Sequence, residues 1–307
     1  MIYITGPTAS GKSAVAIELA KLIDTEIISM DSMSIYRRMN IGTAKPTLSE
    51  QQGIRHHLID IREPNEEYSV ADYCKDATEI AEKLRSANKT PLFVGGTPLY
   101  LKAMIRGFFD GPPGDETVRA KLQRFHESGG NLHARLEAID SESAQRLHPN
   151  DVRRLIRAIE VYEITGKPIS SFQTQFDEPS NQMRQNVFVI YWDRVSLNRR
   201  IDMRVDSLFE QGFLDEAKSL FAEPMSKTAA QAVGYRELFE HFRGKHSLEE
   251  AVELIKIHTH QFAKRQRTWF RSLSECRFIH AATPFDAKQI AETIISQQQP
   301  ASSVLAH

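Results

Sequence analysis

Apolar and polar positions along this chain change rhythm repeatedly. Met1–Ile2–Tyr3–Ile4–Thr5 is a short apolar, β-branched run; beyond it Val15, Ile17, Leu19, Ala20 and Leu22 recur among small and charged residues. The first stretch reads as a buried strand and the second as a helix. The same exchange repeats downstream. Thr25–Asp31 reads as a strand, Tyr68–Asn88 as a helix on Val70, Tyr73, Ala77, Ile80, Ala81 and Leu84, Pro91–Thr97 as a strand and Leu99–Ile105 as a helix. His57–Ile61 reads as a further strand, and the polar stretch Met33–Arg38 is open to a helical turn. Strands alternating with helices predict an α/β fold with a parallel sheet covered by helices on both faces.

The rhythm breaks at Asp110–Gly111–Pro112–Pro113–Gly114. From about Asp115 to Gln185 the patterning is helical, with no convincing strand, before Asn186–Trp192 returns to strand. This predicts a core of residues 1–112 and 186–307 carrying an all-helical insertion, 113–185. The last third reads as helices at Leu197–Gln211, Leu214–Phe221, Ser247 to about Leu273 and Ala287–Ser296. A short strand is expected at Arg277–His280, and residues 298–307 look frayed.

Composition narrows the setting. The 41% hydrophobic and 26% charged content is that of a globular protein without disordered bias. No apolar run approaches a membrane span, and two cysteines support neither a disulfide framework nor a Cys-based zinc site. A cytoplasmic protein is expected, and nothing in the chain demands more than a monomer. Net charge is −1, so any nucleic-acid reading rests on local basic patches.

The sharpest motif follows the first strand. Gly6–Pro7–Thr8–Ala9–Ser10–Gly11–Lys12–Ser13 fits G-x-x-x-x-G-K-[ST] between a strand and a helix, the P-loop context. Backbone N–H groups and a helix N-terminus there favour an anion. Lys12 adds a full charge, and the Ser13 hydroxyl can ligate Mg²⁺ on a polyphosphate. This sharpens the fold to a P-loop NTPase-like sheet. Asp31, at a strand end facing that loop, could hold Mg²⁺, act as a general base, or simply cap a helix. Gly95–Gly96–Thr97 could be a ligand loop or a plain strand-to-helix turn. Arg153, Arg154 and Arg157 share neighbouring helical turns with no acidic partner until Glu160, which favours a phosphate-facing stripe over a solvated face. Lys264–Arg271 mixes four basic residues with Trp269 and Phe270. The cations suit a nucleic-acid backbone, whereas core packing is the better reading of the two rings. His56 and His57 are adjacent, share no face and have no evident third ligand, so they do not read as a metal site.

Several blocks together resemble the tRNA dimethylallyltransferases (tRNA isopentenyltransferases) of bacterial type. They are Gly6–Ser13; Asp31–Ser32 with Tyr36–Arg37 and Met39–Pro46; and His56–Asp60. Gly95–Thr97 with Leu99–Tyr100, His148–Asp151 with Arg154 and Arg157–Glu160, and Ala263–Gln266 with Thr268–Trp269 complete the set. The resemblance implies transfer of a dimethylallyl group from dimethylallyl diphosphate to N6 of the adenosine 3′-adjacent to the anticodon. It implies a loop that holds the diphosphate leaving group with Mg²⁺ on Ser13, Asp31 as base, and Thr8 and Arg204 beside the diphosphate. By its residues alone, Arg204 would be a surface helix position. It also implies tRNA contacts from Asp31, Ser32, Met33, Ser34 and Thr97, from Arg119, Arg153, Arg154 and Arg157 in the insertion, and from Lys264 and Arg265. Ser34 departs from a frequent Gln of the family, and Pro98 from Gly or a larger residue.

Other readings compete. A small-molecule P-loop kinase would bind ATP, use Asp31 as base and the insertion as a lid, but has little use for Lys264–Arg271. An RNA-binding NTP switch would form no covalent product, and prenylation of free AMP would need neither insertion nor basic helix.

Overall fold

The computed structural model of the chain describes residues 1–107, 111–172 and 186–298. Asp110 of the breaker cluster, the end of the expected insertion at 173–185 and the tail from 299 lie outside the described residues. In chain order the elements are β1 (Ile2–Thr5), α1 (Lys12–Leu22), β2 (Ile27–Ser29), α2 (Leu48–Gln51), β3 (His56–His57), α3 (Val70–Ser86), β4 (Leu92–Gly95) and α4 (Pro98–Arg106). Next come α5 (Glu116–Glu127), α6 (Leu132–Ile139), α7 (Ser141–Arg146) and α8 (Val152–Thr165). The chain then continues through β5 (Asn186–Tyr191), α9 (Arg194–Glu210), α10 (Phe213–Leu220), α11 (Tyr235–Phe242), α12 (Leu248–Arg271), β6 (Cys276–His280) and α13 (Ala287–Ser296). Two compact units result: Met1–Lys102 with Asn181–His307, and Ala103–Ser180.

The first unit is built on a parallel sheet in the order β3-β2-β4-β1-β5-β6. β1 lies in its interior, with Thr5 level with Gly95 of β4 on one side and Val189 of β5 on the other. A strand covered on both faces needs apolar residues throughout, and all four residues of β1 are buried. Because β1 is followed in sequence by β2 on one side and later by β5 on the other, the loops leaving its end open a crevice at a switch point. Ser29 is level with Val94, so β2 and β4 deliver their following loops to that same end.

Two local expectations are corrected, and one further helix was not expected. Met33–Arg38 forms turns, because Asp31 Oδ1 accepts the N–H groups of Met33 (2.9 Å) and Ser34 (3.4 Å) and folds the chain back. The expected strand His57–Ile61 shrinks to His56–His57, since Leu58 and Asp60 take φ values of 61° and 55°, incompatible with extension. The short helix α11 was not among the expected elements, although Tyr235, Leu238, Phe239 and Phe242 recur at i, i+3, i+4 and i+7; Gly234 at φ 100° starts it and Glu237 caps Gly234 N–H at 2.7 Å.

The second unit is helical throughout α5–α8, around Leu122, Leu132, Leu136, Leu155 and Ile159. Its most constrained polar group is Glu160, fully buried on α8. That carboxylate accepts from Arg157 Nη1 (2.7 Å), Arg119 Nε (2.9 Å) and the Asp115 N–H (2.7 Å). A buried carboxylate is tolerated only when so fully partnered. No helix among the described residues is long and apolar enough to cross a membrane.

Glu160→Gln keeps the shape but removes the charge that three donors address. Unfolding in urea should show a loss of about 1–3 kcal/mol; an unchanged midpoint would mean that the arginines, not the carboxylate, carry the contact.

Candidate active site

The Gly6–Ser13 loop is locked from three directions. Thr8 N–H donates to the side-chain oxygen of Gln266 on α12 (2.9 Å), Arg200 Nε on α9 donates to the Ala9 carbonyl (2.8 Å), and Trp192 Nε1 donates to the Ser10 carbonyl (2.9 Å). Arg200 also lies over the Trp192 ring at 4.5 Å and the Phe285 ring at 5.3 Å. Glycine is needed at both ends of the loop. A Cβ on Gly6, at φ 153°, would come within 2.8 Å of the Ile190 carbonyl, and one on Gly11, at φ 87°, would enter the Phe285 ring. Gly11 is also the N-cap of α1 and brings no side chain to its first turn, so those N–H groups keep the anion-binding polarity of a helix start.

Gln266 reaches a second loop as well. Its amide nitrogen donates to the Gly96 carbonyl at 2.6 Å, so one buried side chain sets the spacing between the loop after β1 and the turn after β4. In that turn Thr97 Oγ1 accepts from Ser32 N–H (3.0 Å) and its own N–H donates to the Met30 carbonyl (3.2 Å). The turn that starts α4 thus also fixes the segment on either side of Asp31. A Cβ on Gly95 would stand 2.0 Å from the Met30 carbonyl, which explains the double glycine.

These loops line one cleft of about 630 Å³ in the first unit. Thr8, Lys12, Ser13, Asp31, Thr97 and Arg204 all face it. A smaller hollow of about 370 Å³ lies along Ala9–Ser13, Arg200 and Met203, and Lys12, Ser13 and Arg204 line both spaces. Burial pushes Lys12 down to about 8; the Asp31 charge counters this in part, and the neighbouring Arg204 cation adds to it. Burial likewise lowers Arg204, again partly countered by Asp31. Two desolvated cations thus share one nearby carboxylate, an arrangement that favours a dianion over a neutral ligand. Asp31 spends Oδ1 on the turn at Met33 and Ser34 and lines the cleft. Ser34 is buried, with its hydroxyl 3.0 Å from that of Ser29, whereas Ser32 and Met33 are half-buried at the cleft wall.

The wall opposite is the segment Met39–Pro46. Glu216 on α10 accepts N–H bonds from Asn40 (2.8 Å), Ile41 (2.8 Å) and Gly42 (3.0 Å) and the Tyr235 hydroxyl at 2.5 Å. Lys45 is buried and donates to Asn40 Oδ1 (3.0 Å), Asp60 Oδ1 and the Tyr36 carbonyl. Burial lowers Lys45, with Asp60 opposing the shift.

The remaining predicted residues separate. Arg265 lines the cleft, and Lys264 is exposed beside it on α12. Phe270 is in the core as the pattern implied, whereas Trp269 is only half-buried. In the second unit, Arg153 and Arg154 are exposed on α8, with Arg154 3.2 Å from Asp151, but Arg157 and Arg119 end on Glu160. The arginine series is therefore not uniform: its partner is the acidic residue one turn on, folded underneath. Sequence reasoning missed Gln266, Arg200 and Trp192 as loop anchors. The signal for Gln266 was a polar residue on the buried stripe Ala263, Gln266, Phe270 of α12.

Comparison with known proteins adds an independent line. The family model for IPP transferase matches residues 34–273. The chain is 45% identical over 298 residues to the tRNA dimethylallyltransferase of Pelotomaculum thermopropionicum, covering 96% of this chain and 95% of that one. It is 43% identical over 301 residues to that of Carboxydothermus hydrogenoformans, covering 97% and 96%. Among solved structures it is similar to a tRNA isopentenylpyrophosphate transferase of Bacillus halodurans, with TM-score 0.70, 37% identity and coverage of 96% and 95%. A eukaryotic dimethylallyltransferase acting on tRNA matches with TM-score 0.81, 28% identity and coverage of 97% and 80%.

Inorganic pyrophosphate tests the electrostatics. Bound pyrophosphate, a polyanion, favours charged Lys12 and raises its pKa from about 8, so Lys12 takes up a proton on binding. Metal-free affinity should fall by about tenfold per pH unit above that value, with proton uptake visible as a buffer-dependent heat. Lys12→Met should remove this slope; a slope that persists would assign it elsewhere. Gln266→Leu, which strands Thr8 N–H and the Gly96 carbonyl, should weaken pyrophosphate about 5- to 10-fold in the same calorimetry.

Proposed function

Because the chain belongs to the IPP transferase family of prenyl-transferring enzymes, we propose that it transfers a dimethylallyl group from dimethylallyl diphosphate to N6 of an adenosine in tRNA, the one 3′-adjacent to the anticodon. The observation that carries this reading is the pairing of Lys12 and Arg204 with the single carboxylate of Asp31 around one cleft. Departure of diphosphate places growing negative charge on oxygen, and two desolvated cations beside the α1 N-terminus stabilise that charge more than they stabilise the intact donor.

In this proposal the allylic C–O bond breaks as the N6–C bond forms, and one N6 proton must leave. The N6 lone pair is delocalised into the purine, so the amine gains nucleophilicity only as a base takes that proton. Asp31 Oδ2 is that base, while Oδ1, bonded to Met33 and Ser34 N–H, fixes the carboxyl plane. Thr8 is held at the cleft by the Gln266 contact to its backbone and orients the diphosphate.

The donor set fits Mg²⁺ through Ser13, a hard hydroxyl oxygen lining both hollows beside Lys12. Among the described residues no group of three His, Cys, Asp or Glu could hold a metal by itself, so such an ion would share the ligand's own oxygens. When bound, it supplies further charge neutralisation on the leaving group.

The acceptor base has to leave its stack to reach a cleft, at a cost of a few kcal/mol. Phosphate contacts offset that cost. The proposed contacts are Arg265 and Lys264 on α12, residues 31–34 and Thr97 at the cleft, and the insertion, residues 113–185, as an RNA-binding arm. Within that arm Arg153 and Arg154 are exposed, and Arg119 and Arg157 are presented from the buried Glu160.

The test mixes protein, Mg²⁺, labelled dimethylallyl diphosphate and undermodified tRNA, with AMP and ATP as controls. Label on tRNA is expected; label on AMP alone, or phosphate transfer from ATP, would refute the reading. Asp31→Ala should lower turnover about 10²- to 10⁴-fold with pyrophosphate still bound, and unchanged turnover would remove Asp31 from the role of base.

A further inference from the structure

α12 presents two different stripes. Ala263, Gln266 and Phe270 are buried, whereas His258, Phe262 and Arg265, at i, i+4 and i+7, share another face that lines the cleft. Phe262 remains 37% exposed there. An isolated exposed ring carries no message, but this one has a built surround. The Arg265 guanidinium lies 6.0 Å from the ring centroid. His258 Nδ1 is 2.7 Å from Glu237 Oε1, and the same oxygen accepts from Arg236 Nε at 3.0 Å. Glu237 itself is fully buried and takes the Gly234 N–H at 2.7 Å. A carboxylate in the core therefore fixes an imidazole and a guanidinium at the cleft, both of which line it.

A flat apolar ring flanked by fixed cations matches the two chemistries of an unpaired nucleotide. The base offers a π-face for stacking, and its phosphates offer negative charge. A five-carbon prenyl chain would have no use for Arg236 and Arg265, and the diphosphate already has Lys12 and Arg204. We propose that Phe262, flanked by His258 and Arg265, is the stacking platform for an unpaired RNA base next to the adenosine that enters the cleft. This rests on the proposed reaction and adds a residue that the basic run Lys264–Arg271 did not include. The ring sets the register of the loop, so that only one neighbouring adenosine reaches Asp31.

The experiment uses the full chain and an RNA hairpin with an anticodon-type loop, carrying 2-aminopurine at single unpaired positions beside the target adenosine, without donor. Wild-type protein should quench one of these positions on binding. Phe262→Leu retains apolar volume without a π-face; it should abolish the quench and weaken hairpin binding about 5- to 150-fold. Phe262→Trp should retain both, which shows that the site still folds. KM for dimethylallyl diphosphate should stay unchanged in the Leu variant. Wild-type-like quenching and binding by Phe262→Leu would overturn the proposal, as would a raised KM for the donor with RNA binding intact, which would make Phe262 a prenyl contact. Stacking is read without donor, so label transfer by the wild type to the same hairpin reports separately on the reaction.

Discussion

Keeping Lys12 and Arg204 charged and close together in a partly desolvated cleft is the constraint on which the site depends. Burial disfavours both cations and their proximity disfavours them further, while Asp31 offsets only part of the cost. Such an arrangement persists only if rigid elements impose it. Lys12 is fixed by the first turn of α1, Arg204 by α9, and Asp31 by the turn after β2. The unfavourable part of this balance is what a bound diphosphate would relieve in the proposed reaction.

Rigidity comes from contacts between loops as well as from the sheet. Gln266 ties the loop after β1 to the turn after β4, Arg200 and Trp192 hold the next two carbonyls of the first loop, and Thr97 fastens Ser32. α9, which carries Arg200 and Arg204, is braced on α12 by the Lys256–Asp206 ion pair at 2.8 Å, and His260 Nε2 lies 2.8 Å from Asp202 Oδ1. These surface-near pairs add little energy individually, but they stand between the same two helices that carry the cleft's cations and Gln266. Preorganisation of this kind matters more for charge stabilisation than for fold stability.

Local signals were legible in the sequence because single residues carry them. Glycines flanking Thr8–Ser10, the charge of Lys12 and the period-free apolar run of β1 each have one physical meaning wherever they fold. Positive φ at Leu58 and Asp60 had no such signal, since neither residue demands it, and the strand predicted there contracts to His56–His57. Arg204 was recognisable only through resemblance, because a half-buried cation on a polar helix looks like any surface arginine until the loop it faces is placed. The arginines of α8 show the converse failure. Helical spacing put Arg153, Arg154 and Arg157 in one series, yet Glu160 lies beneath the series and also takes Arg119 from α5. Spacing offered Glu160 as the i+3 partner of Arg157, but not its burial or the second arginine that reaches it from α5.

α12 shows why the donor and acceptor halves of the site cannot be assigned to separate parts of the chain. One of its stripes, through Gln266, sets the geometry of the loop after β1, where the proposed diphosphate would lie; its other stripe, through Phe262 and Arg265, faces the cleft where a base would arrive. A rotation of this helix by a single residue, about 100°, would exchange the two stripes and disable both. The Glu237 contacts to His258 and the Gln266 contacts to Thr8 and Gly96 pin the helix at points two turns apart, and so fix that rotation. A basic helix that looked like an RNA-binding appendage is therefore structural to the phosphate loop. That dual duty places one polar residue, Gln266, on an otherwise apolar buried stripe.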